Sequence, residues 1–173
     1  MNKARSRHLK TQGGFTLIEV IITTAISALL LGALVSVMLT STQATNTATS
    51  RVEASSQIRN FEYFAYEDFA GADITDLNGS CTASSRCSSQ PITLTGIPAG
   101  SPTTTYQVTY SWDSTSGLLT RQAGSNPALN AATNVHGFDW YVDANQTVVV
   151  DLTVTVGSYT ESQSFRFFPR RNP

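Results

Sequence analysis

One apolar segment, residues 15–39, constrains this chain more than any other feature. Glu19 is the only charged residue among its 25 residues. A helix rising about 1.5 Å per residue would extend roughly 37 Å over such a segment, which is longer than the hydrocarbon core of a bilayer. An unpaired carboxylate in hydrocarbon costs on the order of a few kcal/mol, so such a residue is normally paired or functional. The segment can therefore cross a membrane, and its one carboxylate needs an explanation.

The residues before this segment predict its orientation. Lys3, Arg5, Arg7 and Lys10 supply four positive charges, and no acidic residue accompanies them. Positive charge is retained on the cytoplasmic side, so we expect a cytoplasmic N-terminus and a C-terminal domain outside the membrane. An ordinary secretory signal has an apolar region of about 7–15 residues. This segment is longer and carries an acid near its start, which argues against that alternative.

The N-terminal region resembles the class III signal of type IV pilins and of type II secretion pseudopilins. A short basic leader is followed by GFTLIEV at residues 14–20 and then by an uninterrupted apolar stretch. The resemblance implies that prepilin peptidase removes residues 1–14 by cutting between Gly14 and Phe15, and that the new amino group of Phe15 is methylated. It also implies that segment 15–40 remains attached as the transmembrane and filament-core helix.

The same resemblance implies a role and partners for Glu19. In this family the glutamate is thought to meet the N-terminal ammonium of a neighbouring subunit as helices bundle into a filament. The implied partners are other pilin or pseudopilin subunits, prepilin peptidase, the inner-membrane assembly platform and membrane lipid. The residues themselves leave a second interpretation open, in which Glu19 is a tolerated acid in the first helical turn, where the helix dipole favours negative charge.

Two classes of function therefore stay open. The first is a non-enzymatic structural subunit of a pilus or pseudopilus. The second is a signal-anchored extracytoplasmic β-domain that binds a ligand without polymerising. Both predict a single-pass inner-membrane protein with its C-terminal domain outside, in the periplasm or at the cell surface. Only the first requires the loss of residues 1–14.

Composition limits the size and the charge of the region beyond the apolar segment. About 134 residues remain after Leu39, enough for one compact domain. Without residues 1–14 the chain would hold seven arginines against twelve acidic residues, a formal charge of −5. This balance indicates no basic surface for nucleic acid.

Residues 41–70 predict an amphipathic helix that continues into this domain. Residues 41–50 are rich in Ser, Thr and Asn, which are poor helix formers, so the helix can loosen there. Farther on, apolar residues recur at spacings of three and four, and acidic residues occupy the other faces. The apolar positions are Ala54, Ile58, Phe61, Ala65 and Phe69, and the acidic positions are Glu53, Glu62, Glu67 and Asp68.

Residues 71–173 predict a β-rich globular head, so the expected fold class is α+β, with a long N-terminal helix packed on an antiparallel sheet. Alternating apolar and polar residues and short connections favour antiparallel strands in a meander. The expected strands are 106–112 and 118–121 as a hairpin around the turn 113–117, then 135–142, 148–156, and a last strand through Phe165 and Phe167. The order of these parts resembles the C-terminal half of J-type minor pseudopilins and W-type minor pilins. This second resemblance implies a minor subunit that helps start or cap a filament.

The two cysteines lie in a polar, loop-like stretch on the outer side of the membrane. Cys81 and Cys87 are separated by five residues, and a disulfide is the natural expectation in an oxidising compartment. A free thiol pair and a metal site are the alternatives, but two cysteines without supporting histidines make a poor zinc site. So short a ring is expected to fix a local loop.

No catalytic residue, metal site or cofactor is predicted. After removal of the leader His136 is the only histidine, which excludes a site with several His ligands, and it falls within a strand pattern. Asp139, Asp143 and Asp151 could approach one another on adjacent strands, although no spacing requires it. Residues 143–147 are faintly similar to a calcium loop but lack its glycine and its distal glutamate, so a turn is expected.

Overall fold

The computed structural model describes residues 14–73, 77, 81–88, 90–96 and 105–169. The predicted leader up to residue 13 and the basic residues after Pro169 lie outside these ranges. The chain forms two compact units, Met1–Ala44 and Thr45–Pro173, which are described separately below.

One helix and nine strands make up the described chain. In sequence order they are α1 (Leu17–Gly71), β1 (Ala72–Asp73), β2 (Cys87–Ser88), β3 (Ile92–Gly96), β4 (Tyr106–Asp113), β5 (Leu118–Ala123), β6 (Leu129–Ala132), β7 (Val135–Val142), β8 (Val148–Val156) and β9 (Tyr159–Phe167). The strands form two antiparallel sheets, one in the order β1-β3-β4-β5-β6 and one in the order β2-β7-β8-β9. The expected α+β, pilin-like fold is confirmed, with two sheets where one was expected.

Helix α1 continues through residues 41–50, so the loosening expected there is not found. The hydroxyl of Thr42 donates to the carbonyl oxygen of Met38 at 2.9 Å. The hydroxyl of Thr49 likewise donates to the carbonyl oxygen of Thr45 at 3.0 Å. A hydroxyl that donates to the carbonyl oxygen four residues earlier makes its hydrogen bond within the helix, and the helix stays intact. Their low intrinsic propensity is therefore not enough to end it.

The apolar stripe of α1 forms the centre of the head, as predicted. All five predicted apolar positions are buried, from Ala54 to Phe69. The ring of Phe61 lies 5.7 Å from Tyr110 of the first sheet and 5.3 Å from Phe165 of the second. Phe69 stacks on Phe167 at 4.3 Å. One helical face therefore covers both sheets.

The predicted strands are present, and the missed ones are short. The hairpin β4–β5, strand β7, strand β8 and the last strand β9 match the expected positions. At the hairpin turn the carboxylate of Asp113 accepts from the Thr115 amide at 2.9 Å and from the Ser116 hydroxyl at 2.7 Å. Gly117 follows with φ of 66°, a conformation that glycine adopts most readily. Strands β1, β2, β3 and β6 were not expected.

Candidate processing and assembly site

Helix α1 of the Met1–Ala44 unit begins with a side-chain cap. The amide of Glu19 donates to the carbonyl oxygen of Thr16 at 3.0 Å and to its hydroxyl at 3.4 Å. Thr16 is therefore the N-cap residue, and Glu19 is the third helical residue; the pair has the spacing of a capping box, but only the bond from the Glu19 amide is formed among the described residues. Phe15 and Val20 occupy the two positions of a hydrophobic staple around this box. The sequence that resembles a processing signal is thus also a self-capped helix start.

The residues of the predicted cleavage site are accessible. Gly14 and Phe15 are exposed, and Phe15 retains 78% of its accessible surface. Within the described ranges, no hydrogen bond or ion pair reaches the carboxylate of Glu19. The site therefore presents an exposed Gly-Phe bond and an unpaired carboxylate one helical turn apart.

The helix surface behind this site is apolar and unburied. Every residue from 14 to 49 is exposed, including the large side chains Ile18, Leu30 and Met38. Its most apolar window has a mean hydropathy of 2.4, so the helix is long and apolar enough to cross a membrane. Its hydroxyls are satisfied internally: Thr23 donates to the carbonyl oxygen of Glu19 at 2.8 Å. This surface suits hydrocarbon or neighbouring apolar helices better than water.

A comparison with protein families identifies this region. Residues 9–35 match the prokaryotic N-terminal methylation motif. The matched stretch contains Gly14, Phe15 and Glu19. This motif, together with the apolar helix, indicates a type IV pilin or pseudopilin and points to a structural subunit. It also fits a single-pass inner-membrane protein. No curated protein and no solved structure matches the chain significantly.

The head contains a buried ionic site that the sequence did not reveal. Asp68 was expected on a polar outer face of the helix, but it is 5% exposed and faces the first sheet. Its carboxylate accepts from Arg121 through Nε at 2.6 Å and Nη2 at 2.7 Å, and from the Tyr110 hydroxyl at 2.5 Å. The Arg121 guanidinium also lies over the ring of Phe64. A bidentate ion pair of this kind ties α1 to β4 and β5 with defined geometry.

The electrostatics of this site favour a charged Arg121 and a neutral Tyr110. Burial, followed by its bond to the Asp68 carboxylate, raises the pKa of Tyr110 far above its usual value. The hydrogen bond to Asp68 raises the pKa of Arg121 further. The bonds from Asp68 on α1 to Tyr110 on β4 and Arg121 on β5 position the helix on the first sheet.

Polar side chains of α1 extend this contact on one flank of the apolar stripe. The Asn60 amide donates to the carbonyl oxygen of Ala131 at 2.8 Å, and the Gln57 side-chain oxygen accepts from the Thr133 amide at 2.9 Å. Glu53 accepts from Asn134 at 3.2 Å. These bonds fix which part of β6 and the following turn lies along the helix.

The disulfide loop lies against the second sheet. Cys81 and Cys87 are joined by a disulfide, and their Cα atoms are 5.4 Å apart. Between them, Arg86 contacts Asp151 at 2.6 Å and covers the ring of Tyr141 at 4.7 Å. The cysteines therefore position a local loop whose arginine binds the face of β7 and β8.

The residues considered for catalysis do not form a site. His136 is exposed on β7. Asp139 and Asp151 face each other across β7 and β8, whereas the Asp143 carboxylate accepts the amides of Asn145 and Thr147 within the next turn, at 2.8 and 2.9 Å. Across the described parts of the chain, no group of three His, Cys, Asp or Glu side chains could hold a metal ion.

Proposed function

We propose that this protein is a non-enzymatic structural subunit of a type IV pilus or a type II secretion pseudopilus. The observation that carries the proposal is the N-terminal methylation motif at the start of a helix whose apolar residues up to residue 49 are all exposed. Such a helix needs lipid before assembly and neighbouring helices afterwards. The head, residues 71–173, would stand outside the inner membrane, because the positive charge precedes the apolar segment.

Processing would generate the mature N-terminus. Prepilin peptidase would cut between Gly14 and Phe15 on the cytoplasmic side, and the freed amino group of Phe15 would be methylated. The exposure of both residues, ahead of the first helical turn, is compatible with access by a peptidase. The proposed cut leaves the capping residue Thr16 and the carboxylate of Glu19 on the retained segment.

Assembly would use the carboxylate of Glu19, which has no hydrogen-bond or ion-pair partner among the described residues. As the helix leaves the bilayer for a bundle, apolar packing replaces lipid, and Glu19 pairs with the ammonium of Phe15 on a neighbouring subunit. An ion pair in a medium of low dielectric constant gains strength when both charges are desolvated together. The partners would be other pilin or pseudopilin subunits, prepilin peptidase and the inner-membrane assembly platform.

A minor role fits this subunit best within that class. The C-terminal half of the head resembles J-type minor pseudopilins and W-type minor pilins in the order of its hairpin and long strands. Such subunits help to start or cap a filament. Incorporation at low copy number, measured by quantitative mass spectrometry of isolated filaments, would support this role, and abundance equal to the shaft subunit would contradict it.

The deciding experiment is the N-terminal residue and intact mass of the protein purified from membranes of cells that carry its own export machinery. A start at Phe15 with one added methyl group is the expected result. An intact Met1, or a start beyond Leu39, would contradict the assembly proposal and favour an anchored or secreted domain.

A further inference from the structure

Strand β9 is a long sheet edge. It has nine residues and pairs with β8 in one unbroken register from Tyr159 to Phe167. Within the described ranges, no strand lies on its other side. Proteins usually shorten, charge or cover such edges, because unpaired backbone groups invite another strand. A regular edge of this length therefore needs an explanation.

The other edges of the two sheets are short or covered. Strands β1 and β2 have two residues each. At the four-residue edge β6, the side-chain amide of Asn60 donates to the carbonyl oxygens of Asn130 and Ala131 at 3.3 and 2.8 Å. Beside β7, the amide of Val142 donates to the carbonyl oxygen of Cys81 in the disulfide loop at 3.0 Å. In the described part of the chain, three edges are thus short or covered, and β9 is open.

The register identifies the backbone groups that face outward from β9. The amide of Thr155 donates away from β9, to the carbonyl oxygen of Asn134 at 2.9 Å. Thr160, which faces Thr155 across the strands, must therefore point its own N–H and C=O away from β8, as must every second residue after it. These residues are Thr160, Ser162, Ser164 and Arg166, and all four are exposed. In the part of the chain that the structure describes, no hydrogen bond reaches their backbone groups.

The side chains along this edge leave it sterically open. The hydroxyls of Thr160 and Ser162 lie 3.1 and 2.9 Å from those of Thr155 and Thr153, so they lean back over β8. Arg166 is the only cation of the strand, and none of the described carboxylates pairs with it. Four outward amides and four carbonyls, with a cation at one end, match the backbone of an extended polypeptide that carries an acid.

We propose that β9 accepts an extended segment of a second protein as an added antiparallel strand, with an acidic residue of that segment opposite Arg166. This surface is separate from the Phe15–Glu19 region and adds a binding function to the head. Backbone hydrogen bonds would supply affinity, and the charge at Arg166 would select the register of the bound segment.

A second copy of this chain fits the edge less well. In antiparallel self-pairing, Arg166 would face a serine, a threonine or the same arginine, and never an acid. A segment that carries an acid therefore suits Arg166 better than a second copy of this strand does.

The test uses the full-length protein in detergent and two labelled nine-residue peptides of alternating Thr and Val. One carries Glu at its third position, which antiparallel binding would place near Arg166, and the other carries Lys there. We expect the Glu peptide to bind, as measured by fluorescence anisotropy. Ser164→Pro, which removes one outward N–H without removing a bond to β8, should weaken binding about tenfold, and Ser164→Thr should not. Arg166→Glu should reverse the preference between the two peptides.

Circular dichroism and thermal unfolding of each variant check that the head stays folded. Absence of binding by the Glu peptide, or binding that Ser164→Pro leaves unchanged, would overturn the proposal. A dimer of the protein that Ser164→Pro abolishes would assign the edge to a second copy and overturn the choice of partner. Because no peptidase or filament enters this assay, its outcome is independent of the N-terminal processing experiment.

Discussion

Removal of Arg121 should destabilise the head more than any surface change, because it leaves Asp68 buried and nearly unpaired. The Asp68 side chain is 6% exposed, and it would keep only the bond from Tyr110. Breaking a buried ion pair by deleting one partner typically costs about 3–5 kcal/mol. Arg121 itself is 19% exposed, so water can partly replace it, and we expect Arg121→Met to cost about 3 kcal/mol.

The double variant Asp68→Leu/Arg121→Met tests whether the loss of stability in Arg121→Met comes from the unpaired charge of Asp68. Replacing both partners by apolar groups removes the uncompensated charge, so the double variant should regain much of the stability that Arg121→Met loses. Asp68→Leu alone should be destabilising, since it leaves the Tyr110 hydroxyl without its acceptor. Arg166→Met, a change of the same kind on the exposed strand β9, is the matched control and should alter stability by less than about 0.5 kcal/mol.

Urea unfolding of the full-length protein in detergent, followed by the fluorescence of Trp112 and Trp140, measures these differences. Both indoles lie in the head and donate to backbone oxygens, so their emission should report its unfolding. A loss of less than about 1 kcal/mol in Arg121→Met would refute the reasoning, as would strictly additive single and double variants.

Further predictions address processing, assembly, alkaline stability and the disulfide. Gly14→Val should leave the leader attached in cells with the peptidase, and a normal mature mass on mass spectrometry would place the cut elsewhere. Glu19→Ala should keep normal trimming but lower incorporation into isolated filaments, and unchanged incorporation would contradict its pairing with a neighbour. Tyr110 has a raised pKa when folded, so its contribution to stability is complete below the unfolded value of about 10 and is lost as the pH rises through the folded value. As the pH rises from about 10 toward the folded value, the wild-type head should therefore lose urea stability faster than Tyr110→Phe, and parallel pH curves would refute this. Cys81→Ser should destabilise the head by about 2 kcal/mol in urea, and equal unfolding midpoints with and without the disulfide would show that the loop contributes nothing.

Regular periodicity made much of the fold predictable. The apolar spacing from Ala54 to Phe69 identified the buried face of α1, because the helical repeat alone determines which residues share a face. Alternation along β7 and β8 identified those strands in the same way. Glu19 stood out because a single charge in an apolar segment is unusual, whereas the capping role of Thr16 was not predicted.

The contacts between elements had no such local signal. Asp68 lies seven residues after Phe61, so the helical repeat already places it along the apolar stripe, but no local signal identifies Arg121 on β5 as the partner of its carboxylate. The division into two sheets depends on pairings such as that of β1 with β3. Strand β1 has only two residues, which is too short for a recognisable sequence pattern. At Gly96 a Cβ would collide with the carbonyl oxygen of Gly71, so the close approach of the helix end to β3 requires glycine there. Such requirements depend on two residues that are far apart in the sequence, so neither local stretch shows them.

The geometry around Glu19 is compatible with both of the environments proposed for this residue, the membrane and a filament. In the first turn of α1, unpaired backbone amides favour a negative charge, and the amide of Glu19 is itself held by Thr16. The helix start thus stabilises the carboxylate without a positively charged partner among the described residues. A partner of that kind would have to be displaced before Glu19 could pair with a neighbouring subunit. An acid farther along the segment would lose this local stabilisation and face hydrocarbon alone. Under the proposed function, placement one turn after Phe15 would therefore keep the Glu19 carboxylate tolerable in the membrane and available for pairing in a filament.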